Sequence, residues 1–303
     1  MTFNFNNSGI PKEELKKRVC EANLKAYSGN SASEFGELQD ATTHYLEFVN
    51  KNVQNLLNGI GRDNLKIIEV GCGSGLMTRY FFKYTKNSKI YCQDLSKDIL
   101  AVLKNKLSKE DIKRAKFISG DATDYFKETK EKFDIISVHG SLHHMVDYLD
   151  LIKIASTKLN KGGIFYIANE PLPRKFYNFY LTELLANWDI AFYHYLGKNN
   201  IKFILQLGFA PVHFIKPILN SKLIKPFKDK ILHGRYLGEV DWAEYWRIDE
   251  KGLDLKGIHS IFKENNIKVK KFESFSYHRT IFLYKLGKHF SVNRFFNLVG
   301  IKN

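Results

Sequence analysis

The sequence has few cysteines, no apolar run of membrane-spanning length and no recognisable signal peptide. Its three cysteines, Cys20, Cys72 and Cys92, are an odd and scattered set, which has neither the density of a disulfide framework nor the spacing of a zinc site. The strongly apolar stretch 203–219 is interrupted by glycine, lysine and proline and is too short to cross a bilayer. The polar start, residues 1–9, lacks the basic and apolar regions of a signal peptide. We therefore expect reduced thiols and a cytoplasmic location.

Length and charge narrow the protein class further. The chain has 303 residues, 44% of them apolar and 26% charged, which is typical of a folded globular protein larger than one α/β domain. Its net charge is +15, carried mostly by lysine. This excess indicates either a solvated lysine surface or a basic patch for nucleic acid, phosphorylated substrates or anionic membranes.

The periodicity of apolar residues changes along the chain. Residues 12–58 follow helical spacing, with a flexible joint predicted at 27–35. From Leu65 onwards, short apolar runs alternate with helical stretches, which predicts a parallel sheet covered on both faces. The predicted strands are 65–70, 89–93, 116–119, 133–138, 164–168, 267–275 and 280–286, and the predicted helices are 76–85, 96–107 and 147–158.

A glycine-rich turn follows the first predicted strand, in the run 67–75. Such glycines let the backbone approach a ligand and leave amide groups free at a helix start. Alone, the turn also resembles a dinucleotide fingerprint, although its third glycine comes one position early. Three carboxylates at strand ends favour another ligand: Glu69 can meet an ammonium group, Asp94 two ribose hydroxyls and Asp121 an adenine amine.

Together, these segments resemble class I S-adenosylmethionine-dependent methyltransferases. The resemblance rests on the runs at 69–75, 93–96, 119–122, 133–138 and 159–163, in the order of that family. It implies a doubly wound α/β fold with a mostly parallel seven-stranded sheet of order 3-2-1-4-5-7-6, the last strand antiparallel. It also implies that S-adenosylmethionine is the cofactor. The residues expected to bind it are Glu69, Gly71, Cys72, Gly73, Gly75, Asp94, Leu95, Asp121, Ala122 and His139.

The loop after the fourth strand, 139–145, is the expected site of methyl transfer because ligands bind at the carboxyl ends of parallel strands. We predict that His143 or His144 is a general base for an alcohol or phenol; the alternative is that they only orient the loop. Glu170, which ends strand five, is predicted to be a second base, a residue that positions an acceptor hydroxyl, or a structural cap. Adjacent histidines cannot easily share one ion, so no metal is expected.

The long insertion between strands five and six predicts a substrate cap. The predicted domains are a helical segment 1–59, a core of 60–171 and 261–288, a cap 172–260 and a basic and aromatic tail 289–303. Aromatic residues crowd 176–195, which favours an apolar or ring-bearing acceptor. Segment 198–235 has eight basic residues against one acid, which suggests an anionic membrane surface or a phosphorylated or lipid-linked acceptor.

We therefore predict an enzyme that methylates a small or lipid-like acceptor, most simply at oxygen. Nucleic acid is disfavoured because no Asn/Asp-Pro-Pro-Tyr/Phe stretch follows strand four and no Pro-Cys pair occurs there. Two alternatives stay open: an RNA-directed methyltransferase that uses the basic cap, and a non-catalytic partner protein that binds the cofactor. The sequence leaves the acceptor, the methylated atom and the oligomeric state open.

Overall fold

A seven-stranded mixed sheet forms the centre of the molecule. The computed structural model describes residues 11–40, 43–173, 252–275 and 295–303. The strands lie in the order β3-β2-β1-β4-β5-β7-β6, and β7 runs antiparallel to both of its neighbours while the other pairs are parallel. The predicted fold class and strand order are confirmed. The strands are β1 (Lys66–Val70), β2 (Lys89–Asp94), β3 (Ala115–Ser119), β4 (Phe133–His139), β5 (Leu159–Pro171), β6 (Ile267–Phe275) and β7 (Phe295–Lys302).

Helices cover both faces of this sheet. The described helices are α1 (Lys12–Ala26), α2 (Gly29–Asp40), α3 (Thr43–Asn58), α4 (Thr78–Tyr84), α5 (Lys97–Lys106), α6 (Lys109–Arg114), α7 (Ala122–Glu128), α8 (Tyr148–Thr157) and α9 (Leu255–Glu264). One buried core lies between the sheet and α7, α8 and α9. The other lies between the sheet and α3, α4 and α5. Because β1, β2 and β4 are covered on both faces, they are buried along nearly their whole length, as is typical of central parallel strands.

Side-chain caps begin several helices at the carboxyl ends of strands. The Ser96 hydroxyl accepts a hydrogen bond from the Ile99 backbone N–H at 3.4 Å and begins α5, which confirms the predicted cap. Asp121 begins α7 in the same way. Such caps satisfy backbone donors that lack a partner inside the helix. They also hold polar side chains at the edge of the sheet where ligands bind.

The N-terminal segment is more helical than its sequence indicates. A joint was expected over 27–35, but α2 already begins at Gly29, so the connection to α1 is short. The glycine and serine residues there are accommodated because α2 packs closely on α5. Helices α6 and α7 were not predicted, because each is only six or seven residues long and too short for a clear periodicity.

The last strand lies in a different place from the prediction. The predicted strand 280–286 is outside the described residues, whereas β7 occupies 295–302, within the predicted tail. Phe296 and Leu298 of β7 are fully buried in the core below α8 and α9, so this part of the predicted tail belongs to the sheet. The remaining domain boundaries stay predictions.

Most of the predicted cap and all of the basic segment 198–235 lie outside the described residues. Among the helices that the structure describes, none is long and apolar enough to cross a membrane.

Candidate active site

A deep cleft lies at the carboxyl ends of β1 to β4, beneath α1 and α2. It encloses about 1040 Å³, including open solvent at its mouth. Its floor comes from the strand ends and the loops that follow them. Its roof comes from α1 and α2, through the side chains of Lys16, Val19, Cys20, Asn23, Tyr27 and Phe35.

The glycine-rich turn needs glycine for two separate reasons. Gly71 has a φ of 62°, and a Cβ on it would lie 2.5 Å from the Ser141 side chain. Gly75 has a φ of 85°, and its Cβ would lie 2.2 Å from Leu103. Both positions therefore exclude a side chain by backbone conformation and by contact. The turn is pressed against the loop after β4 on one side and α5 on the other.

Glu69, at the end of β1, is a buried carboxylate at the edge of the cleft. It is 1% exposed, and its Oε2 accepts a hydrogen bond from the Thr78 hydroxyl. Burial raises the pKa of Glu69 to about 8, the Thr78 hydrogen bond opposes the rise, and the nearby Asp94 adds to it. The side chain is therefore ready to lose its proton when a cation binds beside it.

Asp94 and Gln93, at the end of β2, hold the loops around the cleft. The Asp94 carboxylate accepts hydrogen bonds from the backbone N–H groups of Gly73 at 2.9 Å and Ser96 at 3.0 Å. Burial raises the pKa of Asp94 against the effect of these donors. Gln93 accepts from the Gly71 N–H at 3.3 Å and donates to the Gly120 carbonyl at 2.7 Å. One side-chain amide thus joins the loops after β1 and β3.

Asp121, at the end of β3, is held by backbone donors and by a lysine. Its Oδ1 accepts from the N–H groups of Thr123 at 2.7 Å and Asp124 at 3.1 Å, and its Oδ2 pairs with Lys16 of α1 at 3.1 Å. Burial acts to raise the pKa of Asp121, but Lys16 and the backbone donors hold it below its usual value. Lys16 also pairs with Asp147, just before α8, at 2.7 Å.

The loop after β4 is organised around the carboxylate of Glu170. Glu170 is fully buried. Its Oε1 accepts from the N–H groups of Ser141 at 2.8 Å and Leu142 at 2.9 Å. Its Oε2 lies 2.9 Å from Nδ1 of His143 and 3.3 Å from the His143 backbone N. One carboxylate therefore fixes three successive backbone groups and one imidazole.

The three histidines of the loop differ in their surroundings. His139 lies 2.8 Å from the Tyr45 hydroxyl through Nε2; burial lowers its pKa to about 4 although Glu170 opposes the shift, so the ring is neutral near pH 7. His143 is buried and its ring centre lies 4.1 Å from that of His144. His144 lines the cleft and meets Tyr27 edge to face at 6.0 Å.

The structure brings together nine of the ten predicted cofactor residues, namely Glu69, Gly71, Cys72, Gly73, Asp94, Leu95, Asp121, Ala122 and His139, around one cleft. Gly75 instead packs on Leu103. Of the predicted catalytic residues, His144 lines the cleft, whereas His143 and Glu170 lie buried behind it. Their roles stay predictions.

Sequence reasoning missed Gln93 and the cleft-lining residues of α1 and α2. Gln93 stands beside Asp94 in the run at 93–96, so its position could have drawn attention to it. The N-terminal residues have no such signal, because only the tertiary packing of α1 and α2 places them over the cleft. Among the residues that the structure describes, no group of three His, Cys, Asp or Glu is arranged to hold a metal ion.

Comparison with known proteins finds methyltransferases that are similar to this chain. Residues 62–206 match a family described as a methyltransferase domain. The chain is 27% identical over 183 residues to a ribosomal RNA small subunit methyltransferase C of Haemophilus influenzae, covering 56% of this chain and 51% of that protein. It is 27% identical over 158 residues to a ubiquinone biosynthesis O-methyltransferase of Hydrogenovibrio crunogenus, covering 52% and 60%. The chain thus spans only about half of the first relative and three-fifths of the second.

A solved structure shows the same fold over nearly the whole chain. Magnesium protoporphyrin IX methyltransferase from Synechocystis, with bound SAH, aligns with a TM-score of 0.55 and 10% identity, covering 94% of this chain and 100% of that one. At this identity the similarity concerns the fold alone.

Proposed function

We propose that this chain, which carries a class I S-adenosylmethionine-dependent methyltransferase domain, transfers the cofactor's methyl group to oxygen of a small or lipid-like acceptor. The observation that supports the proposal is that the predicted cofactor-binding carboxylates and a histidine line a single cleft. Three strand-end carboxylates and a cleft-lining histidine, His144, belong to the same cavity. The proposed site for the methyl donor and the proposed base therefore share one cleft.

The residues present fit the cofactor. Glu69 is a buried carboxylate with a hydroxyl donor and, among the described residues, no cationic partner, which suits an ammonium group. Asp94 retains acceptor capacity for ribose hydroxyls beyond its two backbone donors, since a carboxylate has about four lone-pair sites. Asp121 and the small Ala122 border the cleft at the end of β3, where the adenine would lie. A side chain at Gly71 would collide with Ser141, so the turn packs directly against the loop after β4.

The bound cofactor supplies an electrophilic methyl group on a positively charged sulfur. The protein's part is to align the acceptor, exclude water and remove the acceptor proton. His144 is the proposed base because its side chain borders the cleft. Glu170 holds His143 and the loop backbone, and the His143 ring packs against that of His144. In this arrangement His143 orients the base and Glu170 orients His143.

A second candidate is methylation of RNA. It is favoured by the similarity to the ribosomal RNA methyltransferase and by the net charge of +15. It predicts RNA binding that weakens steeply with salt, because each released counterion contributes to the slope. A small-molecule methyltransferase shows no such slope for its acceptor. Contact of the basic segment 198–235 with anionic membranes is a further proposal that vesicle sedimentation can test.

The first experiment is calorimetric titration with S-adenosylhomocysteine. Wild-type protein should bind, and Asp94→Ala should weaken binding by about 1.5 to 3 kcal/mol, roughly ten- to a hundredfold. Asp124→Ala is the matched control, because this exposed carboxylate pairs only with Lys127 among the described residues. Absence of binding by folded wild-type protein would refute the proposal. Binding should be followed by a methyl-transfer screen of phenols, lipids and RNA.

A further inference from the structure

Strand β5 carries an extra residue just before Glu170. Ile167 pairs with Leu298 of β7 and Glu170 pairs with Phe296. Between these two pairs β5 advances by three residues, whereas β7 advances by two. Two residues of one strand opposite one of its partner constitute a β-bulge, a feature that re-aims side chains beside active sites.

The bulge decides which face of the sheet Glu170 occupies. Side chains paired across antiparallel strands point to the same face, and successive residues of a strand alternate between faces. Leu298 and Phe296 both point into the core below α8 and α9, so Ile167 and Glu170 point there as well. Without the extra residue, Glu170 would face the opposite core. Only on its present face does its carboxylate reach the loop 141–143.

Two asparagines hold this bulge. Asn169 has a φ of 54°, the left-handed region that asparagine tolerates better than most residues. Its backbone N–H donates to Oδ1 of Asn297 at 2.9 Å. Asn297 is 3% exposed, and its Nδ2 donates to Oε1 of Glu273 on β6 at 3.0 Å. The extra residue therefore has a dedicated acceptor on β7, which is itself held by β6.

The side chain of Asn169 contributes little to this arrangement. Its Oδ1 is buried without a hydrogen-bond partner among the residues that the structure describes. An unsatisfied buried amide oxygen costs free energy. What the position needs is therefore the left-handed backbone and its N–H, and both are available to glycine.

We propose that Asn169 and Asn297 are positioning residues for the histidine loop, acting through Glu170. Their bulge aims the Glu170 carboxylate at the backbone of 141–143 and at Nδ1 of His143. The inference rests on the proposed function, because it takes this loop to be the one that contacts the acceptor. It adds that the hairpin β6–β7, distant in sequence from the loop, controls the geometry of the loop.

The test is the Nδ1 proton resonance of His143 in the full-length protein, assigned by its absence in His143→Gln. An imidazole N–H held by a buried carboxylate gives a protected, downfield resonance. We expect it in wild-type protein and in Asn169→Gly, which keeps the left-handed backbone. We expect it to be lost in Asn169→Ala, which opposes that backbone, and in Asn297→Ala, which removes the acceptor. Glu273→Gln is the matched control, because it retains the acceptor oxygen for Asn297.

The outcomes separate this inference from the proposed function. An unchanged resonance in folded Asn169→Ala and Asn297→Ala would overturn the inference. Loss of the resonance in Asn169→Gly would also overturn it, since the side chain would then be what matters. If Asn297→Ala does not fold, the comparison of Asn169→Ala with Asn169→Gly still tests the inference. Titration of wild-type protein with S-adenosylhomocysteine reports on the proposed function independently, because the resonance requires no ligand.

Discussion

The two sides of the cleft are held together by different kinds of contact. On the side where we propose that the cofactor binds, called here the cofactor side, Glu69, Asp94 and Asp121 each have one partner two to nine positions away, Thr78, Ser96 and Thr123 respectively. More distant contacts add to these, because Asp94 also accepts from Gly73 and Asp121 pairs with Lys16 of α1. The other side is formed by the loop 139–145, which we propose contacts the acceptor, and is called here the acceptor side. There Glu170 bonds to residues 27 to 29 positions earlier in the chain. Tyr45 and His139 are 94 residues apart, and Asn169 and Asn297 are 128 apart.

This difference indicates how each side gains its geometry. The cofactor side is built from the consecutive strand–turn–helix units of β1 to β3, with added contacts between those units and from α1. The acceptor side requires the β6–β7 hairpin, α3 and the loop after β4 to assemble correctly. Substitutions on the acceptor side should therefore alter loop geometry while leaving cofactor binding nearly intact.

The largest effect is expected where the two sides touch, at Gly71. Gly71→Ala places a Cβ 2.5 Å from Ser141 in a left-handed backbone. We expect a loss of about 3 kcal/mol or more in the free energy of unfolding and no measurable binding of S-adenosylhomocysteine. Gly162→Ala is the matched control, because Gly162 has a φ of 73° but no atom within 4 Å of a new Cβ. Equal losses in both variants would show that contact with Ser141 is unimportant.

The next effect is a pH dependence of cofactor binding caused by Glu69. Burial raises the pKa of Glu69 to about 8 in the ligand-free protein, whereas an ammonium ligand requires the ionised carboxylate. Binding below pH 8 must therefore release a proton, and affinity should rise about tenfold per pH unit between pH 6 and pH 8. Titrations in buffers of different ionisation enthalpy measure this proton directly. Equal apparent enthalpies in all buffers would contradict the prediction.

Glu69 should also make the stability of the fold depend on pH, in the opposite direction: as pH rises, cofactor affinity increases but the free energy of unfolding decreases. A carboxyl whose folded pKa is raised stabilises the fold fully below its unfolded pKa of about 4.5. That contribution is lost as pH rises towards 8. Glu69→Gln, which imitates the protonated form, should therefore lose less stability than wild type between pH 5 and pH 8 while binding the cofactor poorly. Parallel thermal melts across this range provide the measurement.

The same contrast explains what could be predicted from the sequence. Glu69, Asp94, Asp121 and the glycine turn lie in short contiguous runs, so their strand-end positions and the family resemblance were enough to locate them. Glu170 was recognised as a strand-end carboxylate, but its partners in the loop depend on a bulge that no local pattern reveals. The strand β7 lies at 295–302 and not at the predicted 280–286, because both runs are apolar and the pairing with β5 is a long-range contact that no local pattern reveals.

The acceptor side can be altered alone through Glu170. Glu170→Gln retains one oxygen for Ser141 and Leu142 but turns an NH₂ group towards the backbone N–H and ring of His143. A buried donor without an acceptor costs about 1 to 3 kcal/mol, so the melting temperature should fall and the His143 Nδ1 resonance should move. Affinity for S-adenosylhomocysteine should stay within about twofold, because Glu170 itself does not line the cleft. A large loss of cofactor affinity would show that the two sides are coupled through the loop.

The smallest effect is expected at Lys16, the residue that joins both sides. Its ammonium pairs with Asp121 on the cofactor side and with Asp147 before α8, and its helix forms part of the cleft roof. Partly exposed ion pairs contribute about 0.2 to 1 kcal/mol each, so Lys16→Ala should weaken S-adenosylhomocysteine binding by a few-fold. Because salt screens such pairs, the difference from wild type should shrink as ionic strength rises.

Lys12→Ala tests whether the position on α1 matters or only the charge. Lys12 pairs with Asp150 at 2.8 Å, but both side chains are more than half exposed and neither borders the cleft. This variant removes the same charge from the same helix and should leave affinity unchanged. Equal losses in the two variants would mean that α1 acts through net charge. A loss of affinity confined to Lys16→Ala would mean that the ion pairs of Lys16 with Asp121 and Asp147 hold α1 over the cleft.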